Sequence, residues 1–525
     1  MRTRQIVPRW IGGLLVAAMF AACASPSPTT GPSQPPTDDQ RGRTEPFSST
    51  VPTAATTLTT PSPRSIPTST PAPASIAYVP VVGFWSSTAG ISRGELEAAL
   101  GGRSRLFRRV LSSVAVPGST PSTSALIRVA VNADPRTLGL IPADQVTVDV
   151  HALSVDGLDL FGNGRLRSLA RWPLLVSVAP DTPPSSFDAA STWTLVAGGD
   201  VMLDRSIYDR TVRKGKGADY PWDGGSAAIT GRHCCSAAGQ PLPTVRRTGP
   251  KGTVRALFRE ADLAVVNLEG PALDAFRWHP HGLTFTFDPA LLVGLSHVGI
   301  DVVTIGNNHI GNAGTKGVVE TIRHLDDLGI AHVGSGRDAA SARQPAWFDV
   351  AGQRVALLGY DAIRPAYNAT AERPGSARLT TAAYRADISA AHRDGADVVV
   401  VLPHWGTEYT ADASSAQQAH AHKLADAGAT LVLGSHSHSA GAVEVVDGHL
   451  VLYSLGNLVF DITRSEETVE GLIVEITFSG PRPVQIRLHP TVIVDQAQPN
   501  LLDTATDGKV VIERMRRASI DLARQ

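Results

Sequence analysis

Polar residues that bind metals follow several apolar, β-branched segments in the second half of this 525-residue chain. The segment "LVLGSHSHSAG" (431–441) ends in two histidines one residue apart. Residues i and i+2 of a strand share one face, so both imidazoles can point at the same place. A lone histidine after a strand is usually a hydrogen-bonded loop residue, whereas a set at several strand ends predicts a shared metal site. The candidates are Asp200, Asn267, Glu269, Asn307, Asn308, His309, His404, His436 and His438.

The elements around these residues favour a buried sheet covered by helices. Near-continuous apolar runs alternate with helical patterns such as "GTKGVVETIRHLDDLG" and "SSAQQAHAHKLADAG". This alternation indicates an α/β fold whose strands are buried on both faces. In open α/β sheets, binding sites form outside the carboxyl ends of the strands, where the candidate residues are expected to lie.

The first 23 residues predict an export signal. Arg2, Arg4 and Arg9 precede an apolar segment (11–20) that is too short to cross a bilayer as a mature helix. The "AAC" that ends at Cys23 resembles a bacterial lipobox, which implies a lipoprotein signal peptide (1–23) and a lipid anchor on the extracytoplasmic face of the membrane. Phe20 stands where that motif more often has leucine, so cleavage by the ordinary signal peptidase is an alternative. An uncleaved signal anchor would also leave the rest of the chain outside.

The remaining chain is expected to contain a tether and two domains. Residues 24–75 are rich in Pro, Ser and Thr, which predicts a disordered linker. Residues 76–185 predict a small α/β domain that faintly resembles solute-binding proteins; a packing or spacer domain is the alternative. The proline-rich stretch "APDTPPSSF" then marks a boundary. A larger domain is expected at 191–495, followed by a C-terminal extension at 496–525.

Composition excludes some classes of function. The formal net charge is −1, with no basic tract, so nucleic acid is not an expected partner. Cys234 and Cys235 are the only cysteines besides Cys23, which excludes a disulfide-rich scaffold. This adjacent pair is interpreted as ordinary loop residues, and a labile redox pair is the alternative. Residues 205–251 look like an insertion with an exposed basic loop, either solvated or in contact with an anionic polymer.

Five sequence blocks resemble, in order, those of the bacterial CapA family, which is named for poly-γ-glutamate capsule synthesis and is related to the calcineurin-like metallophosphoesterases. The blocks are "LVAGGDVMLDR", "VVNLEGPA", "TFTFDPALLVGLSHVGIDVVTIGNNHIGNAG", "VVVLPHWGTEY" and "LVLGSHSHSAGAVEVVDGHLVLYSLGNLVFD". The resemblance covers residues 193–494. It implies a four-layer α-β-β-α sandwich, two mixed sheets flanked by helices, with the N-terminal domain outside it.

The resemblance also implies roles for individual residues. One or two divalent ions, Mn, Fe or Zn, suit oxygen and nitrogen ligands without thiolate. Two ions about 3.5–4 Å apart hold a hydroxide and clamp both oxygens of a displacement, while a histidine stabilises charge or protonates a leaving group. The implied metal ligands are Asp200, Glu269, Asn308, His404, His436 and His438; the implied catalytic residues are His309 and His404; the implied substrate-binding residues are Asn267, Asn307, Trp405, Glu408 and Asn457.

Two positions depart from the pattern. The related phosphoesterases have a histidine two residues after the first aspartate, where this chain has Met202. Asn312 stands where the CapA family often has an aspartate. The loss of a ligand implies a single metal, or a site that binds without turnover. His420 and His422 are interpreted as surface residues of a helix.

These observations support three functional hypotheses. The first is a surface-anchored, metal-dependent hydrolase or transferase that acts on a phosphoester, or on an amide or ester of an anionic envelope polymer. The second is a non-catalytic component of a capsule or poly-γ-glutamate assembly, which Met202 favours. The third and weaker one is a solute-binding lipoprotein, which depends on the N-terminal domain alone.

Overall fold

The computed structural model describes residues 75–178, 183–522 and 524, which belong to one compact unit. The predicted signal peptide, Cys23 and almost all of the predicted tether lie outside the described residues. Within the described ranges, no helix combines the length and the apolar character needed to cross a membrane.

Residues 75–178 form a small α/β arrangement, here called the N-terminal subdomain. Its six-stranded sheet has the order β4-β3-β5-β1-β6, with β8 also paired to β1, and β2 pairs with β7. Both helices begin at a hydroxyl residue, Ser92 or Thr123, whose side chain accepts a backbone hydrogen bond from the first turn. The elements are β1 (Ser75–Gly83), β2 (Gly90–Ile91), α1 (Arg93–Leu100), β3 (Arg109–Ser112), β4 (Thr120–Pro121), α2 (Ser124–Ala133), β5 (Thr137–Pro142), β6 (Val150–Ala152), β7 (Ser154–Val155) and β8 (Leu175–Ser177).

The following residues form a larger body, here called the sandwich. Its strands are β9 (Thr192–Val201), β10 (Ser226–His233), β11 (Leu242–Arg247), β12 (Leu263–Leu268), β13 (Val302–Thr304), β14 (Ala331–Val333), β15 (Ser335–Gly336), β16 (Ala346–Val350), β17 (Gln353–Asp361), β18 (Gly375–Ser376), β19 (Val398–His404), β20 (Leu431–Leu433), β21 (Val443–Val446), β22 (His449–Leu452), β23 (Asn457–Val459), β24 (Glu470–Ser479), β25 (Arg482–Val494) and β26 (Gln498–Leu502). Its helices are α3 (Arg205–Tyr208), α4 (Thr253–Glu260), α5 (Val293–Val298), α6 (Gly314–Asp327), α7 (Ala339–Ala342), α8 (Thr381–Arg393), α9 (Ser415–Asp426), α10 (Glu466–Val469) and α11 (Lys509–Leu522).

Two mixed sheets make up the centre of the sandwich. The first has the order β11-β10-β26-β25-β24-β9-β12-β13-β14, with β23 also paired to β9. The second has the order β16-β17-β19-β20-β22-β21. Strands β9, β12 and β19 are buried along their whole length, as their near-continuous apolar sequences predict.

Alternate residues of each strand serve different layers. Leu195 and Val400 pack between the two sheets, whereas their chain neighbours Val196 and Val401 face the outer helices. Helices α4, α5 and α6 cover the first sheet, and α8 and α9 cover the second. The predicted four-layer α-β-β-α sandwich is therefore confirmed.

The predicted C-terminal extension and the predicted insertion both contribute strands to the first sheet. Strand β26 of the predicted 496–525 extension lies between β10 and β25. The basic insertion forms the β10–β11 hairpin, which Arg232 ties to Glu466 (Nη2–Oε1 2.7 Å). Near its tip, Cys234 and Cys235 form a disulfide with each other, which differs from the interpretation of the pair as ordinary loop residues.

The N-terminal subdomain packs against the first sheet through polar contacts, here called the junction. The Arg165 side chain is fully buried and pairs with Asp262 (Nη2–Oδ2 2.6 Å). The backbone N–H groups of Ala152 and Gly162 donate to Gln485 Oε1 (3.0 Å) and Thr477 Oγ1 (2.7 Å). The two parts of the chain are therefore joined by buried hydrogen bonds.

Candidate metal centre

The candidate residues meet at the carboxyl ends of strands from both sheets. In the first sheet, Asp200 of β9 is in register with Asn267 of β12 on one side and with Asn457 of β23 on the other. In the second sheet, His404 ends β19, and His436 and His438 lie in the loop that follows β20. The prediction that these two histidines share one face of a strand is wrong, because both have left-handed backbone, with φ of 98° and 57°. Parallel strands end at the same edge of a sheet, so a few short loops bring distant parts of the chain together.

Three buried side chains form the centre of this cluster. One ligand atom each from Asp200, Glu269 and His438 lies within 4.8 Å of the others. All three residues are buried, and His438 Nδ1 lies 3.3 Å from Asp200 Oδ2. Two carboxylates and an imidazole at this separation can hold a divalent cation.

Glu269 provides the test of whether a cation fits. Glu269 is completely buried, and neither of its carboxylate oxygens has a hydrogen-bond partner among the described residues. Burial, followed by the charge of Asp200, raises the pKa of Glu269 well above its usual value. A buried carboxylate without partners beside a second carboxylate is costly unless a cation lies between them. The donor set therefore fits a metal.

His438 is held by its own hydrogen bond. Its Nδ1 lies 2.9 Å from Asn457 Oδ1, and Asn457 Nδ2 in turn donates to the Thr468 carbonyl at 2.8 Å. Burial alone would lower the pKa of His438, but the charge of Glu269 and the contact with Asp200 raise it to about 9. To act as a metal ligand the His438 ring would have to be neutral, so a metal would compete with the second proton of the ring.

A second group of side chains adjoins the first. His404 Nε2 lies 2.8 Å from Asn308 Oδ1 and 3.1 Å from His436 Nδ1. The His436 backbone N–H points to Asp200 Oδ2 at 3.4 Å. Burial lowers the pKa of His436 to about 3 and that of His404 well below its usual value. These imidazoles are therefore neutral near neutral pH, as metal ligation requires.

His309 lies at the edge of the cluster with a defined orientation. Its Nδ1 is 2.9 Å from Asn312 Oδ1, which also accepts the Phe285 backbone N–H at 2.7 Å, so Nδ1 carries the proton. The ring stacks on Phe285 with the centroids 4.0 Å apart, and Nε2 lies 3.8 Å from Glu269 Oε1. Burial lowers the pKa of His309 to about 4. Asn312, a departure from the family pattern, thus still orients this ring.

The asparagines proposed as substrate ligands lie behind the metal-binding groups. Asn267 Nδ2 donates to Asp200 Oδ1 at 2.8 Å, and Asn307 Nδ2 donates to Asn267 Oδ1 at 3.2 Å. Both asparagines are buried. In this position they hold Asp200 in place through a chain of amide hydrogen bonds.

Trp405 and Glu408, the other two predicted substrate ligands, lie in the core and at the surface, respectively. The Trp405 indole is buried in the core beneath the helices of the second sheet and donates to the Tyr453 carbonyl at 2.9 Å. Glu408 is exposed, and its charge acts on Glu269. Met202 is buried in the core of the first sheet, and its sulfur accepts the Asp204 N–H at 3.1 Å, so it does not serve the centre.

Two arginines near the cluster were absent from the predicted set. Arg205 lies over the Phe285 ring at 4.7 Å, pairs with Asp461, and its charge lowers the pKa of His309. Arg464 lies over the Tyr409 ring at 4.5 Å. Arg205 ends the first of the quoted blocks, "LVAGGDVMLDR", and that position was the available signal.

Comparison with family models shows to which family the chain belongs. A family model described as bacterial capsule synthesis protein PGA_cap matches residues 194–462, which contain every residue of the cluster. The chain belongs to this family.

The relatives carry names that refer to capsules and polymers. The capsule biosynthesis protein CapA of Bacillus anthracis is 36% identical over 171 residues, which are 32% of this chain and 42% of CapA, so less than half of that relative is covered. A probable polyglutamine synthesis accessory protein of Mycobacterium tuberculosis is 28% identical over 59% of this chain and 82% of its own. Among solved structures, the calcineurin-like phosphoesterase YfkN of Bacillus subtilis is similar with a TM-score of 0.34 and 12% identity, covering 64% of this chain and 99% of YfkN.

Proposed function

We propose that this PGA_cap-family protein is a divalent-metal-dependent hydrolase of capsule or envelope-polymer metabolism. The observation that carries the proposal is Glu269, a fully buried carboxyl group that has no hydrogen-bond partner among the described residues and lies beside Asp200 and His438. Buried charges in proteins are paired or coordinate metals. The relatives are named for capsule and polyglutamine synthesis, and the resemblance to the CapA family implies an anionic envelope polymer or a phosphoester as the substrate.

The chain's own residues supply binding and proton transfer. Asp200, Glu269 and His438 would hold a divalent ion, with Asn308, His404 and His436 next to them as ligands for the same ion or a second one. The ion supplies Lewis-acid polarisation of a bound substrate oxygen. Asn312 fixes the His309 proton on Nδ1, so Nε2 is the atom that takes up a proton and returns it to a leaving group.

The charges around the cluster favour an anionic substrate. Arg205 lies beside Phe285 and His309, and Arg464 lies at the rim over Tyr409. The Tyr409 ring in turn lies 5.8 Å from the His438 ring. Arg464 is exposed and is in no ion pair formed by the described residues, so it can attract a carboxylate or phosphate group, whereas Arg205 is already paired with Asp461.

A second candidate function is non-catalytic polymer binding within a capsule assembly. Its support is Met202, which occupies the place of a ligand and lies in the core. In this case the metal would hold polymer carboxylates without hydrolysis. A solute-binding role for the N-terminal subdomain stays a weaker proposal.

We also propose export and lipid attachment at Cys23, which would place the anionic polymer within reach at the membrane surface. Replacing Cys23 with Ser is expected to abolish lipid labelling and to release the protein from the membrane fraction. Unchanged labelling would contradict the lipoprotein assignment.

The decisive experiment combines metal analysis with hydrolysis assays. Purified protein is expected to bind Mn²⁺, Fe²⁺ or Zn²⁺ and to hydrolyse a phosphodiester such as bis-p-nitrophenyl phosphate, or γ-glutamyl polymer. Asp200→Asn should abolish both properties, whereas His422→Ala, an exposed histidine paired with Glu444, should preserve them. Metal binding without turnover of either substrate would favour the polymer-binding alternative.

A further inference from the structure

A separate cavity of about 340 Å³ lies where the N-terminal subdomain, strand β25 and helix α11 meet. Its wall includes Phe84, Trp85, His151, Leu488 and Lys509. Every lining residue lies outside the 194–462 segment that the family model matches, and none belongs to the metal centre. The volume is within the range of pockets that hold small ligands, about 300–1,000 Å³.

One part of the wall is apolar and accessible. Phe84 and Trp85 lie edge to face with ring centroids 4.7 Å apart, and both are only partly buried. Ile486 and Leu488 of β25 and Ile512 of α11 complete this surface. The Phe84 backbone N–H donates to Asn132 Oδ1 at 2.9 Å, which ties the aromatic loop to α2. Such a wall suits the apolar or aromatic body of a ligand.

The charges of the wall leave one cation without a partner. Arg487 Nη2 pairs with Asp159 at 2.6 Å. Glu513 pairs with Arg516 at 3.3 Å. Lys509, at the start of α11, is in no ion pair formed by the described residues. The acidic groups are thus each matched with an arginine, and the remaining charge is positive.

His151 adds an uncharged hydrogen-bonding group. Burial, then the charges of Arg487 and His489, lower the pKa of His151 to about 4, so the ring is neutral near neutral pH. Among the described residues, none forms a hydrogen bond with its ring nitrogens. A neutral imidazole offers one donor and one acceptor to a ligand.

We propose that this cavity binds a small amphipathic acid. Its apolar or aromatic body lies against Trp85 and Leu488, its carboxylate, phosphate or sulfonate faces Lys509, and His151 bonds a polar group between them. The site shares no residue with the metal centre, and all of its lining residues lie outside the segment that the family model matches.

Two related fluorescent probes test body and charge separately. Both 8-anilinonaphthalene-1-sulfonate and the uncharged N-phenyl-1-naphthylamine carry an aromatic body, and only the first carries an acidic group. The sulfonate should bind the full-length protein saturably and about fivefold more tightly than the uncharged probe, the gain typical of one exposed charge pair. Equal affinities would overturn the assignment of an acid.

Matched variants locate the probe. Lys509→Ala should remove the difference between the two probes, whereas Lys423→Ala, an exposed lysine on α9, should keep it. Trp85→Ala should weaken both probes by about tenfold or more through lost aromatic contact, whereas the exposed Leu283→Ala should not. Because Lys509 is exposed, its variant keeps the test valid even if Trp85→Ala unfolds.

Competition identifies the body of the ligand. Octanoate and benzoate share the carboxylate and differ in an aliphatic or aromatic body. Displacement of the sulfonate probe by either acid supports the site and names the class. Failure of both acids, or probe binding that is insensitive to both Lys509→Ala and Trp85→Ala, would overturn the proposal.

Discussion

Two glutamates of this protein are equally buried and have opposite preferences for a proton. Glu475 at the junction is 2% exposed, yet its pKa is lowered, because His489, Arg487 and the Asn163 N–H outweigh the effect of burial. Glu269 at the metal centre is 0% exposed and has no hydrogen-bond partner among the described residues, so its pKa is raised. Arg487 of the chain supplies a positive charge beside Glu475. Beside Glu269, the neighbouring positive charge is that of protonated His438, and a bound metal would take its place.

The same difference extends to the neighbours of each glutamate. At the junction, Gln485 accepts the Ala152 N–H and donates to the Ile486 carbonyl, and Arg165 bonds to four oxygen atoms. At the metal centre, two carboxylates face each other across a short distance. Satisfied buried polar groups stabilise a fold, whereas unsatisfied ones mark a site that a ligand completes.

The largest effect is expected from breaking the junction at Arg165. Its fully buried guanidinium bonds to Asp262, to Thr192 Oγ1 and to two backbone carbonyls. Arg165→Met leaves Asp262 without its buried partner and should lower the free energy of unfolding by about 4 kcal/mol. Chemical denaturation measures this change. Arg167→Met is the matched control, since this half-exposed arginine also contacts Asp262 and should cost less than about 1 kcal/mol.

Metal affinity should not change in Arg165→Met, because the junction and the metal centre do not share these contacts. A large loss of metal affinity without loss of stability would contradict the division between the two regions.

The next largest effect is expected from Glu269→Gln, which tests whether Glu269, unlike Glu475, is a metal ligand. Glu269→Gln replaces a buried carboxyl group that has no hydrogen-bond partner among the described residues, so the metal-free protein should be about as stable as the wild type. The wild type should gain about 2.7 kcal/mol when free Mn²⁺ exceeds its dissociation constant about a hundredfold, and the variant should lose this gain. Unfolding with and without Mn²⁺ measures both quantities. Glu470→Gln, a buried glutamate paired with Arg514, should keep the gain.

The sequence predicted the metal centre better than the junction for a physical reason. Asp200 and the histidines lie at or shortly after the ends of apolar strands, and parallel strands end at one edge of a sheet, so the order of these strands predicts that the residues lie near each other. Arg165 and Asp262 meet across a surface between two parts of the chain, and no periodicity links them. The sandwich could therefore be predicted, and the way the N-terminal subdomain packs on it could not.

Individual side chains show the same limit. Trp405 directly follows His404, the last residue of β19, yet its indole enters the core while the imidazole enters the site. Arg205 reaches the site because its backbone adopts φ of 47°, which no sequence period indicates. The position of a residue along a strand predicts which face its side chain points to. The conformation of a loop, and the direction of its side chains, cannot be predicted in this way.

A smaller effect tests the lowered pKa of Glu475. A carboxyl group whose pKa is lower in the folded state contributes stability above its unfolded value, 4.5, and loses it as the pH falls through the folded value. Glu475→Gln should therefore cost about 2 kcal/mol at neutral pH, the value of hydrogen bonds to a charged group. The difference from the wild type should shrink as the pH falls below 4.5 in denaturation series. A difference that stays constant with pH would mean that shape, and not charge, holds the junction.

The smallest effect concerns the support of a ligand in the metal centre. Asn457 accepts the bond from His438 Nδ1 and donates to the Thr468 carbonyl, so it fixes both the tautomer and the ring orientation of His438. Asn457→Leu should weaken Mn²⁺ binding about tenfold, or 1.4 kcal/mol, because the ring must then be ordered on binding. Asn500→Leu is the control, since Asn500 is equally buried and bonds the Gly225 N–H and the Gln498 carbonyl, neither of which belongs to a residue of the centre. Both variants should lose stability, because each leaves buried backbone groups without partners. Only Asn457→Leu should lose metal affinity in calorimetric titration, and equal affinities in the two variants would show that His438 is ordered without its asparagine.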